Sequence, residues 1–301
     1  MPELLPDPSQ IGPIAQPPFV ILPDPVRLFR RRAERLRHLA RESRLAPYLI
    51  FLAELAEVQA ALPATLPTVT PPPEARVALA RESRMPPLNR LSLARDADMA
   101  ATLAALLAAA DGIAMPEAAR AALDAVRGAD AETRGRLLAN VLSDDIPVED
   151  AAPHLWVAAA VQVHAARLAA SLDGERLVPI RVGVCPCCGG RPATSVVLGT
   201  LRIEGARYAA CATCATLWNE VRIKCLACGS TKGISYRALG EEAVIKAEVC
   251  DACHSWVKIL YQNKDTALEA IADDVASLGL DALMGDTEWR RAGFDPFLVG
   301  F

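Results

Sequence analysis

The distribution of cysteine is the feature of this sequence that most restricts its fold. Nine cysteines occur in 301 residues, and all of them lie between Cys185 and Cys253. A small secreted protein stabilised by disulfides would spread its cysteines along a short chain behind a signal peptide. This chain begins Met-Pro-Glu-Leu-Leu-Pro, with neither a basic segment nor a continuous apolar one. We therefore expect a cytoplasmic protein whose reduced thiols bind metal.

Eight of the cysteines form four C-x-x-C pairs. Two sulfurs three positions apart bind one ion from a single tight turn, and two such turns complete a tetrahedral four-sulfur site. The longer spacings separate the first pair from the second and the third pair from the fourth, and a glycine directly follows the first and the third pair. Two tandem modules are therefore predicted, 185–214 and 225–253. The predicted ligands are Cys185, Cys188, Cys211 and Cys214 in the first module, and Cys225, Cys228, Cys250 and Cys253 in the second.

The spacing leaves three questions open at these sites. An interleaved pairing, first pair with third and second with fourth, is the alternative to the sequential one. Four thiolates accept either Zn²⁺ or iron, and a site without an open coordination position favours a structural role over metal catalysis. Cys187 is interpreted as a spare small apolar residue, with a redox or exchange role as the alternative. His254 is expected to cover the second site or to donate to a sulfur rather than to replace a ligand.

The sequence before the cysteines predicts helices. Hydrophobic residues make up 52% of the chain but aromatic residues only 5%, so Ala, Leu and Val dominate, which favours helix over sheet. A capping Asp24 followed by Pro25 predicts the start of the first helix. Apolar periodicity predicts further helices over 47–62, 92–111, 115–127, 131–143 and 149–171. The proline clusters at 1–25 and 63–87 predict extended arms or loops.

The predicted fold is a mainly α N-terminal domain, a small metal-bound β region of two tandem rubredoxin-like or zinc-ribbon-like four-cysteine modules, and a C-terminal helix. The predicted divisions are a Pro-rich arm (1–24), an all-α domain (25–177), the tandem modules (178–262), and the C-terminal helix and tail (263–301). Strands are expected at Thr194–Leu198, Gly233–Ala238 and Ala243–Glu248. From Lys264 onward one helical stripe is expected, formed by Leu268, Ile271, Val275, Leu278 and Ala282.

Charge and missing motifs exclude several functions. A net charge of −4 excludes a generally basic nucleic-acid binder, and the absence of a long uninterrupted apolar stretch predicts no membrane insertion. The first helix is the exception, with eight arginines against three acidic residues between Asp24 and Arg44. Such a stripe suits RNA, lipid headgroups or an acidic protein, with a solvated helix face as the alternative. No phosphate-binding, dinucleotide, nucleophile-elbow or zincin motif occurs, so we expect no enzyme. His154 and His164 are interpreted as core or edge residues.

Several stretches match a known protein family. They are Cys185-Pro-Cys-Cys-Gly-Gly-Arg-Pro, the run from Cys211 to Cys225, and the run from Cys250 to Asp265, together with 270–278, the tail Phe294-Asp-Pro-Phe-Leu and the Leu28-Phe-Arg-Arg-Arg helix. In these residues the chain resembles the FdhE-type accessory proteins of formate dehydrogenase maturation. Cys187 departs from the pattern of the first knuckle.

The resemblance implies a cytoplasmic, non-enzymatic maturation factor that binds the catalytic subunit of a molybdenum- or tungsten-containing formate dehydrogenase. It also implies two metal ions in rubredoxin-like sites, with iron favoured and zinc as the alternative. Trp218, Arg222 and Lys224, between the two modules, are predicted to contact the partner, and a packing role is the alternative for Trp218. The rival functions are rubredoxin-like electron transfer and, third, a zinc-ribbon nucleic-acid adaptor. No nucleic-acid partner is expected, since thiolates make the cysteine region negative.

Overall fold

In the computed structural model, which describes residues 17–199 and 203–300, the region before the cysteines is helical. Its helices are α1 (Pro25–Ala40), α2 (Ala46–Ala61), α3 (Glu74–Glu82), α4 (Ala97–Ala109), α5 (Glu117–Gly128), α6 (Ala131–Ser143) and α7 (Ala151–Ala170). Asp24 caps α1 by accepting from the amides of Val26 and Arg27 at 3.1 and 3.0 Å, with Pro25 at the first helical position. This start confirms the prediction.

Helix α7 forms the centre of the helical region. Residues 157–166 of α7 are buried on all sides, and the helix contacts α1, α2, α4, α5 and α6. His154 and His164 are completely buried on it, as expected. His154 lies 3.1 Å from the Asn140 amide and 2.6 Å from the Asp150 carbonyl, so its ring nitrogens are satisfied inside the core.

The second proline cluster does not form a continuous loop. Helix α3 occupies part of it, with Val77 and Ala80 buried, so that part of the prediction is wrong. The prolines flank a proline-free stretch, and Pro73 directly precedes the helix, a position where a missing amide donor costs nothing. Of the predicted N-terminal arm, residues 1–16 lie outside the described residues.

One sheet joins the strands of the cysteine region to a short strand from the N-terminal part of the chain and another from the C-terminal part. Its strands are β1 (Val20–Ile21), β2 (Pro192–Val197), β3 (Arg207–Cys211), β4 (Leu217–Glu220), β5 (Ile234–Arg237), β6 (Ile245–Cys250), β7 (Ser255–Tyr261) and β8 (Arg290–Arg291). Their order is β1-β4-β3-β2-β7-β6-β5, and β8 pairs with β7. The parallel pairing of β2 with β7, which places Ser195 opposite Ile259, joins the two cysteine modules. The modules therefore share one sheet.

The C-terminal helix is shorter and more broken than the predicted stripe. After β7 the chain forms α8 (Ala272–Ala276) and α9 (Leu278–Gly285). Leu268 and Val275 are buried as expected, but Ala282 is exposed. The Glu269 carboxylate accepts from the Ala272 amide at 2.7 Å, which satisfies an amide donor at the start of α8.

Helix α1 connects the two ends of the chain. Arg32 forms a buried ion pair with Glu269 at 3.2 Å, and Arg35 pairs with Asp273 at 2.7 Å. Two arginines of the basic helix therefore form ion pairs with the C-terminal part of the chain, while Arg27 and Arg30 are exposed. Within the described ranges, no helix is at once long enough and apolar enough to span a bilayer.

Candidate metal centres

The structure groups the eight paired cysteines into two clusters. Site 1 consists of Cys185, Cys188, Cys211 and Cys214, and site 2 of Cys225, Cys228, Cys250 and Cys253; the sulfurs of each site lie within 4.8 Å of one another. The pairs therefore combine sequentially and do not interleave. All nine cysteines are free of disulfides.

The sulfur spacing matches a tetrahedral ion. The Sγ atoms of Cys185 and Cys214 are 3.7 Å apart, and those of Cys188 and Cys211 are 3.5 Å apart. In site 2 the Cys228–Cys250 distance is 3.7 Å. A metal–sulfur bond of about 2.3 Å in a regular tetrahedron separates its sulfurs by about 3.8 Å. Each donor set therefore fits one four-coordinate ion.

The two opening turns have the same backbone geometry. The Gly189 amide donates to the Cys185 carbonyl at 2.9 Å, and the Gly229 amide donates to the Cys225 carbonyl at 3.0 Å. Both glycines have left-handed backbones, with φ of 78° and 79°, a conformation that glycine adopts without a steric penalty. The C-x-x-C-G motif thus forms two knuckles with the same backbone conformation.

Backbone amides point at the sulfurs in both sites. In site 1 the amides of Thr213 and Cys214 each donate to Cys211 Sγ at 3.4 Å. In site 2 the Ala227 amide donates to Cys225 Sγ at 3.3 Å. Such bonds favour the thiolate form, which is the form that binds metal.

The residues that follow the closing pairs adopt left-handed backbones. Ala215 has φ of 57° and His254 has φ of 50°, which is uncommon for residues with a side chain. The His254 ring is mostly exposed and lies 3.1 Å from the Glu288 carboxylate. Its observed partner is thus a carboxylate rather than a sulfur.

The two sites differ in exposure. All four cysteines of site 1 are buried, and so is Cys187, which packs in the main core with no exposure. In site 2, by contrast, Cys228 is exposed and Cys253 is partly exposed. Site 1 is therefore enclosed by protein, whereas site 2 presents a sulfur to the surface.

The pKa values of the two opening cysteines, Cys185 and Cys225, are shifted in opposite directions. Burial raises the pKa of the Cys185 thiol well above its ordinary value, and the neighbouring thiols raise it further. Burial also raises the pKa of Cys225, but the amides of Cys228 and Ala227 outweigh it and bring that pKa to about 7. A thiolate thus forms more readily at Cys225 than at Cys185.

A buried arginine beside site 1 was not identified from the sequence. Arg90 is 7% exposed, donates to the Thr213 hydroxyl at 3.1 Å and pairs with Asp144 at 2.8 Å. Burial opposes its charge, but Asp144, Cys188 and Cys211 hold its pKa above the ordinary value. Arg90 therefore places a positive charge next to the thiolates. Nothing distinguishes it in the sequence from the many other arginines, because its partners are distant in the chain.

The residues predicted to contact a partner occupy different environments. Trp218 is only 2% exposed and lies on β4 opposite Val20, so it packs in the interior, which was the alternative for this residue. Arg222 is exposed, and Lys224 is partly buried and pairs with Glu220 at 3.1 Å. Of the three, Arg222 and Lys224 reach the surface.

Comparison with known proteins gives matches along almost the whole chain. Three family models match: "FdhE, N-terminal" over residues 17–182, "FdhE, central domain" over 184–222 and "FdhE, C-terminal domain" over 223–298. A "Protein FdhE homolog" of Rhizobium meliloti (strain 1021) is 56% identical over 299 residues, covering 98% of each chain. "Protein FdhE" of Escherichia coli (strain K12) is 37% identical over 290 residues, covering 93% of this chain and 91% of that one. The crystal structure of the FdhE protein from Pseudomonas aeruginosa superimposes with a TM-score of 0.84 at 34% identity, covering 94% of this chain and 99% of that one.

Proposed function

Since this chain belongs to the FdhE family, we propose that it is a cytoplasmic accessory protein that assists the maturation of a formate dehydrogenase. In this proposal it binds the catalytic subunit of that enzyme and carries one metal ion in each four-cysteine site. The observation that carries the proposal is the pair of complete four-thiol clusters in a chain similar to family members over nearly its full length.

The proposed ligands are the eight paired cysteines, and the proposed ion is iron, with zinc as the alternative. The sulfur distances of 3.5–3.7 Å and the four-thiolate donor set suit both ions. Either ion would crosslink distant turns, and iron would add a one-electron couple. Arg90 supports the assignment at site 1, because four thiolates around a divalent ion leave excess negative charge that a nearby guanidinium offsets.

A docking role is supported better than an enzymatic one. Four protein sulfurs leave no open position on a tetrahedral ion for substrate or water. Burial of all four cysteines of site 1 also removes that site from contact with a substrate. We therefore assign the sites to holding the sheet in the shape that the partner recognises.

The segment 221–224 is the proposed contact surface for the catalytic subunit. Val221 and Ile223 are 62% and 54% exposed, and Arg222 between them is exposed as well. Arg207 donates to the carbonyls of Arg222 and Lys224 at 3.4 and 2.9 Å, which fixes this segment. Exposed apolar residues beside a cation on an ordered backbone are typical of a protein interface. Lys224 directly precedes Cys225, so metal binding at site 2 would order the same surface.

Rubredoxin-like electron transfer is the second candidate. The observation in its favour is the exposure of Cys228, because a sulfur ligand at the surface shortens the path for an electron to a partner. A reversible one-electron potential and fast exchange with a redox partner would distinguish this function from docking.

The test combines metal analysis with partner capture. Protein purified without air is expected to contain two metal ions per chain and to retain a formate dehydrogenase catalytic subunit. Replacement of Val221 and Ile223 by serine should weaken retention and leave the metal content at two. Serine replacement of Leu79, which is exposed on α3, is the matched control. Absence of both metal and partner binding would falsify the proposal.

A further inference from the structure

Strand β5 ends the sheet and has one free edge. The strand order ends β7-β6-β5, so among the described strands β5 pairs with β6 alone. Cys250, a candidate ligand of site 2, lies directly opposite Ile234 in that pairing. The free edge of β5 is therefore one strand away from the second cysteine site.

The register shows which backbone groups of β5 point outward. The Asp251 amide donates to the Gly233 carbonyl at 2.9 Å, and these two residues are opposite each other when the register of β5 and β6 is extended by one position. In an antiparallel pair, hydrogen-bonded and non-hydrogen-bonded residue pairs alternate. Gly233 and Ser235 therefore direct their backbone groups toward β6. The amides and carbonyls of Ile234 and Tyr236 point away from β6, toward the free edge.

The pairing on the other side of β6 gives the same result. The Tyr261 amide donates to the Val244 carbonyl at 2.9 Å, which continues the register of β6 with β7 by one position. The even-numbered residues of β6 therefore bond to β7. The odd-numbered ones, such as Val249 opposite Ser235, are left to bond to β5.

The outward-facing backbone groups are accessible. No described residue donates to or accepts from the Ile234 backbone or the Tyr236 amide at this edge, and the Tyr236 carbonyl accepts only from the adjacent Arg237 side chain, at 3.3 Å. Tyr236 is 37% exposed and Leu239, just beyond the strand, is 64% exposed. The edge contains neither a proline nor a bulge, two devices that protect natural edge strands from pairing. β5 thus presents backbone donors and acceptors next to exposed apolar side chains.

We propose that the free edge of β5 binds an extended segment of another protein as an additional antiparallel strand. Two residues of that segment, separated by one, exchange hydrogen bonds with the backbones of Ile234 and Tyr236. The side chains of Ile234 and Tyr236 lie on one face of the sheet, because they are two positions apart on a strand. β-branched or aromatic side chains opposite them stabilise such a pairing, so the segment has apolar residues at these two positions.

A single extended segment fits this edge better than a second copy of the chain. Stable dimer interfaces use roughly 20–30 residues on each side, whereas β5 has four. Strand addition needs only an accessible backbone and a few side-chain contacts. The proposal does not rest on the maturation function and concerns a surface other than 221–224, so either can fail without the other.

The test measures amide hydrogen exchange by NMR on the full-length protein, with a synthetic peptide as the probe. The probe is acetyl-Thr-Val-Thr-Val-Thr-amide, and the comparison peptide carries N-methyl groups on both valines. In the free protein the amides of Ile234 and Tyr236 should exchange rapidly, while the Ser235 amide, which bonds to β6, is protected. A saturating probe should slow exchange at Ile234 and Tyr236. The N-methylated peptide lacks the two donors and should bind at least about tenfold more weakly.

Two variants at one position separate the backbone from the side chain. Tyr236→Pro removes the outward amide and leaves the bonds to β6 in place, because proline is tolerated where the amide faces solvent; probe binding should weaken at least about tenfold. Tyr236→Val is the matched control, since it keeps the amide and a β-branched side chain, and it should retain binding. Equal binding of the two peptides, unchanged exchange at Ile234 and Tyr236, or protection of these amides by self-association without peptide would overturn the proposal. If Tyr236→Pro does not fold, the comparison of the two peptides on the natural protein decides.

Discussion

Replacement of Arg90 by glutamine tests whether this side chain supports site 1. The guanidinium pairs with Asp144 at 2.8 Å, and the two side chains are 8% and 4% exposed. Removal of one partner of such a buried pair costs about 3–5 kcal/mol, because the remaining charge stays buried without a counter-ion. For a chain of 301 residues that corresponds to a Tm lower by roughly 5–8 °C. Arg90 and Cys188 are far apart in the sequence. A changed rate of metal release would therefore show that the folded protein brings them together, and it is a more specific result than a lower Tm.

The assay measures stability and metal retention together. Thermal unfolding by circular dichroism gives the change in Tm, and a coloured chelator follows the release of the two ions. Arg90→Gln is expected to speed release from site 1 at least about tenfold, a factor that corresponds to about 1.4 kcal/mol, while site 2 keeps its rate. Asp144→Asn should cost less than Arg90→Gln, because the thiolates of site 1 still compensate Arg90 and asparagine tolerates the left-handed backbone at 144.

A double-variant cycle checks the pairing itself. Arg90→Gln combined with Asp144→Asn should lose less stability than the sum of the two single changes, since no charge is then left unpaired. A Tm change below about 2 °C for Arg90→Gln, or equal release rates from site 1 in the natural protein and the variant, would refute the reasoning.

Three further predictions concern single sites. A chelator should remove the ion of site 2 before that of site 1, because Cys228 is exposed and site 1 is buried; simultaneous release in a stopped-flow experiment would contradict this. Cys187→Ala should leave two ions per chain by elemental analysis and cost about 1 kcal/mol for the lost packing, and a lower metal content would contradict a packing role. Asp295→Asn should raise Tm at pH 7. The Asp295 side chain, which follows β8, is buried, and burial raises the pKa of its carboxyl group. The folded protein therefore keeps a proton on this group that the unfolded chain releases above about pH 4. The difference in Tm should shrink as the pH falls toward 4, and a constant difference would argue against a raised pKa at this carboxyl group.

The parts of the molecule that local sequence specifies were the parts that could be predicted. The limits of α6, Ala131–Ser143, coincide with the predicted 131–143, since Asp130 caps the helix through the Thr133 amide. The four C-x-x-C knuckles also follow from spacing, because each is built within a few residues, whereas the structure was needed to exclude the interleaved pairing.

Features that depend on distant pairing could not be obtained in this way. Strand β3 is buried on both faces and lacks the alternation that identifies a strand. The parallel contact of β2 with β7 depends on residues more than sixty positions apart, and nothing in either strand indicates its partner. Trp218 lies between the modules in sequence, yet the strands around it bury it. Lys258 in β7 and Asp274 in α8 are charged residues that the sequence alone would place at the surface. The fold buries both of them completely.

The contacts between the two ends of the chain bear on how the protein is made. Arg32 is synthesised long before Glu269, its ion-pair partner. Likewise, Tyr48, whose hydroxyl donates to the Phe297 carbonyl at 2.7 Å, is synthesised long before Phe297. Until the segment that carries Glu269 and Asp273 is synthesised, α1 exposes the arginines that this segment later pairs with. All eight candidate ligands precede that segment in the chain, so both clusters can assemble before the ends meet. A nascent chain that stalls before this segment therefore presents unpaired arginines of α1 to proteases and chaperones.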